Sequence, residues 1–317
     1  MDDHKVAPTM TTSSAPGKII LFGEHAVVYG RPALAVPVTQ VQATATVRSA
    51  PRPGVWIEAP DIGLSSDLSR LAPDHPLGAA TGSVFHSLGI SPLPPLTVHI
   101  SSTIPVASGL GSGAAVSVAL IRALSEFLGQ PLPDERVSAL AYKVEKLHHG
   151  TPSGIDNSVI TYAKPVYFIK GQPIETLQVG APFTLVIGDT GIPAPTKESV
   201  GDVRKLWGLE KPRWEGVFDE ISSIVKHAKQ SIENGEWAAL GPLMARNHTL
   251  LRELTVSSVE LDRLVEAGRR SGALGAKMSG GGRGGNMIAL VKKENAPAVA
   301  EALRSAGAKR TIITQVG

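Results

Sequence analysis

The sequence predicts a chain of mixed strands and helices in two domains that meet near residue 182. Three observations predict it. Val41, Ala43, Ala45 and Val47 alternate with Gln42, Thr44, Thr46 and Arg48, the period of an antiparallel strand with one face in water. A glycine-rich loop, Ile104 to Ala115, divides a strand-like run from a run with helical spacing. Beyond residue 182 the apolar pattern turns helical, over about 214–234, 237–253 and 257–271, before a closing strand, helix and strand.

Composition narrows the possibilities. The 317 residues are 42% hydrophobic, with 31 basic and 28 acidic residues and a net charge of +3. That supports a substantial core. The charges are interspersed, without the basic runs of nucleic-acid tails. The absence of cysteine excludes disulfides, thiolate catalysis and cysteine metal sites. The polar start MDDHKVAPTMTTSS lacks an apolar signal region, and no stretch is long and apolar enough to span a bilayer. These features imply a soluble cytoplasmic protein whose first fourteen residues or so are frayed.

In chain order, Lys18 to Phe22 has the length of an apolar strand, headed by a lysine and broken by Gly23-Glu24-His25. Lys18 snorkels at a strand end or meets an anion. Val55 to Glu58 is expected to pair with the 41–47 strand. Residues 59–76, rich in Pro, Asp and Ser, read as a surface loop, and 79–88 as a short helix stopped by Gly89. Leu96, Val98 and Ile100 mark the strand before the glycine loop. Val116, Leu120, Leu124 and Phe127 mark the helix after it, with Gly129 as its stop.

Gly109, Gly111 and Gly113 let backbone amides approach a ligand closely. The helix behind them offers unpaired amides and the positive end of its dipole. A phosphate fits such a loop, and a tight turn is the plainer account. No Gly-Lys-Ser/Thr follows, and the glycine spacing is not that of a dinucleotide fingerprint.

A further helix is expected from Asp134, its candidate N-cap. Its stripe is Val137, Leu140, Ala141, Val144 and Leu147, and Gly150 and Pro152 end it. Glu145 opposes the dipole near that helix's C-terminus. Either a salt bridge to Arg136 or Lys146 or a functional role explains it. His148 and His149 point apart on a helix and suit its C-terminal end better than a shared metal. Asp156 and Asn157 precede a strand-like run, Ser158 to Tyr162, with Asp156 either a turn former or a base on a rigid loop. Residues 165–169 and 183–188 are further strands, and 189–196 a linker. A second glycine loop, Lys277 to Asn286, suggests a wall for close ligand approach or a flexible connector.

Three stretches, PGKIILFGEHAVVYG, IPVASGLGSGAA with HHGTPSGIDN, and KMSGGGRGGN, resemble the GHMP small-molecule kinases. The first and middle ones are similar to the mevalonate kinase family within them. The resemblance implies an α+β fold of two domains, 1–182 and 183–317. The first would be like domain 2 of ribosomal protein S5, with a left-handed crossover, and the second ferredoxin-like. It implies ATP and Mg2+ as cofactors and (R)-mevalonate as the small-molecule substrate, and it allows a homodimer.

Residue by residue, Ser102 and the loop Pro105, Val106, Ala107, Ser108, Gly109, Leu110, Gly111, Ser112, Gly113 and Ala114 would bind ATP. Glu145 matches the magnesium ligand. Asp156 matches the catalytic aspartate, and Lys18 the lysine paired with it beside the reacting hydroxyl. Glu24, His25, Thr196, Ser279 and Gly280 match positions near the substrate. The family usually reads GLGSSA, and its second serine reaches magnesium. Here that position is Gly113, so Ser112 or a water takes the role. Arg283 within the third motif is a second departure and would add a charge near the phosphates. Phosphomevalonate, homoserine or a sugar as acceptor, or a nucleotide-binding relative without catalysis, are the competing readings.

Overall fold

The computed structural model describes residues 9–105, 108–149 and 153–317. The expectations for Val106, Ala107, Gly150 and Pro152 lie outside the described residues, as do the side chains of His148 and His149.

The strands and helices follow in this order: β1 (Met10–Phe22), β2 (Ala33–Ser49), β3 (Val55–Ala59), β4 (Leu64–Asp67), α1 (Pro76–Leu88), β5 (Leu96–Ser102), α2 (Ser112–Phe127), α3 (Asp134–His149) and α4 (Ile155–Tyr162). Then come β6 (Val166–Phe168), β7 (Glu175–Thr176), β8 (Phe183–Asp189), α5 (Thr196–Leu209), α6 (Lys211–Glu233), α7 (Leu240–Glu253) and α8 (Val259–Arg270). The chain closes with β9 (Gly275–Ser279), β10 (Asn286–Val291), α9 (Ala296–Ser305) and β11 (Arg310–Val316). They form two compact units. One takes in the N-terminal stretch through Gly17, Val41–Pro105 and Gly111–Tyr162. The other takes in Lys18–Gln40, the loop residues up to Leu110, and Ala163–Gly317. These units interleave along the chain, whereas the expected division at 182 is a single cut in sequence.

In the first unit β4 pairs antiparallel with β3, β3 runs parallel to β5, and β5 pairs antiparallel with residues 43–49 of β2. Val41, Ala43, Ala45 and Val47 are buried, as their alternation requires. Helices α1, α2, α3 and α4 pack against one another, and α2 also packs on β5. Ala114, Ala115, Ala119 and Ala123 are buried with Leu120, Ile121 and Leu124. The small residues let neighbours close in on α2. Each large one contributes roughly 1.5–3 kcal/mol by leaving water.

Several expectations are corrected here. Residues 10–14 are strand: Thr12 and Ser14 meet Thr46 and Thr44 through hydroxyl bonds of 2.9 and 3.0 Å, a polar pairing that apolar periodicity does not reveal. Strand β3 joins β5 rather than the 41–47 strand. Residues 59–76 hold β4 and two short 3-10 turns, the second capped by Asp67, whose carboxylate accepts from the Ser69 amide at 2.8 Å. Asp134 is the first helical residue of α3, and Leu147 leaves its stripe, being 55% exposed. The run 158–162 is helix. Its β-branched residues suggest a strand, but packing on α2 and α3 buries Ile155, Val159 and Ile160 along one face. Ser158 Oγ bonds back to the Gly154 carbonyl at 2.7 Å.

In the second unit an antiparallel sheet has the order β11-β8-β10-β9. Numbered within this sheet the order is 4-1-3-2. The chain runs strand, helices, two strands, helix, strand, which is the ferredoxin-like arrangement. All residues of β8, β9 and β10 are buried. Strand β9 and helix α5 escape the sequence reading. The first carries Gly275 and Lys277, and the second buries only Ser199 and Val203. Elsewhere in this unit Ala33–Ala35 pair with β6, and β6 with β7. Among the described residues no helix is long and apolar enough to cross a membrane.

Candidate active site

Unit one holds Ser102, Pro105, Gly111, Ser112, Gly113, Ala114, Glu145 and Asp156. Helix α2 begins directly after Gly111, a left-handed residue with φ +77 that supplies no side-chain cap. The first amides of this sixteen-residue helix are therefore not capped by the residue before it. A Cβ at Gly113 would meet nothing within 4 Å. An open, glycine-lined helix start of this kind fits a phosphate. Just upstream, Ser102 is held by its backbone: its amide donates to Asp61 Oδ2 at 2.8 Å, and its hydroxyl accepts from the Ile104 amide at 3.2 Å.

Glu145 is buried on α3. Asp156 sits in the first turn of α4, where the helix dipole favours a carboxylate. Its neighbour Asn157 is locked, donating through Nδ2 to Ser138 Oγ at 2.8 Å and the Ser138 carbonyl at 3.2 Å. The far end of α4 is pinned by Arg122, which donates to the Thr161 carbonyl and to Asp134 Oδ1. Among the described residues no three His, Asp or Glu side chains gather as a metal cage. Glu145 and Ser112, the two residues expected at magnesium, would offer one carboxylate and one hydroxyl. That suits magnesium, which keeps several waters and takes substrate phosphate oxygens.

Unit two holds Lys18, Glu24, His25, Ser108, Gly109, Leu110, Thr196, Ser279 and Gly280. Lys18 is buried in β1, and its amide donates to the Leu110 carbonyl at 2.9 Å. Asn286 donates through Nδ2 to the Ser108 carbonyl. Gly109 is left-handed, with φ +81.

The second glycine loop is a wall built against its own chain. A Cβ at Gly281 would lie 2.5 Å from Thr196 Oγ1, and one at Gly282 would lie 1.9 Å from the Val256 carbonyl. Only at Gly280, among glycines 280–282, would a Cβ meet nothing within 4 Å. Arg283 pairs with Asp202 at 2.6 Å and donates to the Thr255 carbonyl. Its charge is thus engaged by a carboxylate.

Glu24 and His25 are both buried. Lys277, expected at the mouth of the loop, is fully buried on β9 and forms an ion pair with Glu24. Burial lowers the Lys277 pKa, and the Glu24 charge and hydrogen bond oppose that. His25 Nε2 lies 3.1 Å from the Gly281 carbonyl. Burial lowers the imidazole pKa to about 4; the bond to Gly281 opposes this, and the Arg283 charge adds to it. The ring is therefore neutral at pH 7 and donates through Nε2. Glu24 Oε2 and His25 Nδ1 have no hydrogen-bond partner among the described residues. Buried acceptors in that condition fit hydroxyl donors from a ligand or water. Sequence reasoning missed Asp61 and Arg122, named Asn157 only as a neighbour of Asp156, and read Lys277 and Asn286 only as the bounds of the second glycine loop, with no signal for the Lys277–Glu24 pair.

The models of the GHMP kinases N terminal domain and the GHMP kinases C terminal match residues 76–164 and 228–309. The mevalonate kinase of Thermococcus sibiricus is 38% identical, covering 96% of this chain and 95% of its own. That of Pyrococcus abyssi is 37% identical, with 95% and 94% covered. Among solved structures, L. major mevalonate kinase in complex with R-mevalonate superposes with a TM-score of 0.86. It is 30% identical, over 100% of this chain and 98% of that one. With a ferredoxin-like sheet, an uncapped glycine-led helix and likeness that runs end to end, the chain belongs to the mevalonate kinase family of the GHMP kinases.

Proposed function

We infer that the protein transfers the γ-phosphoryl group of ATP to the primary hydroxyl of (R)-mevalonate, giving 5-phosphomevalonate and ADP. The observation that carries this reading is the unbroken likeness to mevalonate kinases across nearly the whole chain. A bond forms from the alcohol oxygen to Pγ, and the bond from Pγ to the β-bridging oxygen breaks. Such transfer needs positioning and charge neutralisation above all. In this reading the loop from Pro105 to Ala114 receives the triphosphate on its amides, with Ser102 at the nucleotide. Asp156 accepts the hydroxyl proton. Lys18 stabilises the charge on the transferring group. Glu24, His25, Thr196, Ser279 and Gly280 surround the alcohol. Glu145 and Ser112 are the residues that would hold magnesium, which would supply positive charge to neutralise the phosphates.

The test is ADP release with (R)-mevalonate as sole acceptor, beside phosphomevalonate, homoserine and galactose. Release with mevalonate alone is expected. Equal or greater release with another alcohol overturns the assignment. We extend the reading to a cytoplasmic protein, to be checked by fractionation, and to a homodimer, to be checked by light scattering.

A further inference from the structure

The turn Gly23–His25 carries two residues proposed at the alcohol, and locally only backbone bonds hold it: the amides of Ala26, Val27 and Val28 donate to the carbonyls of Glu24, Gly23 and His25 at 2.7, 3.1 and 3.0 Å. Gly23 is left-handed, with φ +97, and a Cβ there would lie 2.5 Å from the Ala33 Cα. His25 has a φ of +60 despite its side chain, a strained conformation that persists only where surroundings enforce it. No side chain caps the 3-10 turn Ala26–Tyr29 that follows.

The side-chain contacts come from the second glycine loop, more than two hundred residues away. Ser279 Oγ donates to the Ile20 carbonyl at 2.7 Å. His25 Nε2 donates to the Gly281 carbonyl at 3.1 Å. Lys277 Nζ donates to Glu24 Oε1 and to its own neighbour's carbonyl, Met278 O, at 2.6 Å. Strand β9 is in turn held between β10 and α7, and the Met278 amide meets His248 Nδ1 at 3.4 Å. Lys277 is 0% exposed and Glu24 1%. A lysine so enclosed does not reach a substrate itself, and all its influence passes through what it holds.

We propose that Lys277 is a positioning residue for the alcohol side of the reaction, acting through Glu24 to fix the Gly23–His25 turn. With one Glu24 oxygen committed to Lys277, the other is aimed, and His25 Nδ1 is presented beside it in the chain. Both of these acceptors are buried and without a hydrogen-bond partner among the described residues. The inference rests on the mevalonate reading and deepens it. The plainer account is an ion pair that only stabilises the fold. Such a pair is often replaced by apolar residues at no cost, and its loss leaves substrate affinity untouched.

Lys277→Met, Glu24→Gln and the double variant separate the two accounts. Each is measured for KM of (R)-mevalonate, KM of ATP and thermal unfolding, against the wild type. The expected result is a rise of at least tenfold in the mevalonate KM of either single variant, with the ATP KM within twofold. The double variant is no worse than the poorer single one, because both act through one link. If Lys277→Met does not fold, the near-isosteric Glu24→Gln and the double variant, with no charge left buried, carry the comparison. An unchanged mevalonate KM in folded variants, equal rises in both KM values, or multiplying effects in the double variant overturns the proposal while the wild type remains active. A wild type without mevalonate-dependent ADP release sinks the functional reading, and this inference with it.

Discussion

His25 combines burial, a left-handed backbone and a neutral ring, and the combination has a measurable consequence. Burial lowers its pKa from 6.5 to about 4. Between those values the unfolded chain binds a proton that the folded chain does not, so stability is full above pH 6.5 and falls as the pH drops towards 4. For one such histidine the loss is on the order of 3 kcal/mol. Urea unfolding at pH 7 and at pH 4.5 measures it. His25→Asn, whose side chain tolerates a left-handed backbone and does not titrate, is expected to flatten the slope in that window. An unchanged slope assigns the loss to other groups, His248 first, which burial also lowers to about 4. Asp156 gives the residue-scale prediction for catalysis. Asp156→Asn keeps the shape at the start of α4 and removes the proton acceptor. Turnover is expected to fall roughly 10²–10⁴-fold with ATP binding retained, and near-normal turnover would remove Asp156 as the base. Lys18, Glu145 and Asp156 stand out in the sequence because each lies in a short motif or breaks a local preference. Lys277 does not, because its partner Glu24 is 253 positions away and no local pattern encodes a contact at that distance.

At the level of elements, periodicity served where a segment has one wet and one dry face. The strand around Val41–Val47 and helix α2 were both readable for that reason. It failed where the environment departs from that rule. Strand β9 is dry on both faces and contains a charge, and α4 is a helix of strand-like residues held by burial on its neighbours. The glycines of the two loops look alike in sequence and differ in structure, which separates their substitutions. Gly113 faces open space and is the second residue of α2, where an added side chain meets no neighbour. Gly113→Ser is therefore expected to leave the melting temperature unchanged or slightly raised, and to lower the Mg2+ concentration for half-maximal activity by adding a hydroxyl near Ser112. A lower melting temperature would show that the position is not free. Gly281→Ala drives a Cβ to 2.5 Å from Thr196 Oγ1 at the head of α5. Overpacking of this kind costs typically 1–3 kcal/mol, so this variant is expected to melt lower and to work poorly. Arg283, expected to add charge near the phosphates, is held by Asp202. Its replacement by alanine removes that surface pair, and little change in melting temperature is expected.

For the whole molecule, the strand order 4-1-3-2 was out of reach of the sequence, because pairing between distant strands decides it. The motif resemblance supplied what periodicity lacked. The same scale offers a test of binding that does not depend on chemistry. A ligand that binds only the folded state stabilises it by about 2.7 kcal/mol at one hundred times its dissociation constant. In domains approaching this chain's length, each kcal/mol raises the melting temperature by about 2 °C, so a shift of about 5 °C is expected with (R)-mevalonate in that excess. Homoserine and galactose at the same concentration should give none. Asp156→Asn should keep the mevalonate shift while losing turnover, since its carboxylate is assigned to proton removal and its shape is preserved. A variant that loses both would make Asp156 a substrate anchor, and a wild type that releases ADP with mevalonate yet shows no shift in that excess would contradict the binding argument itself.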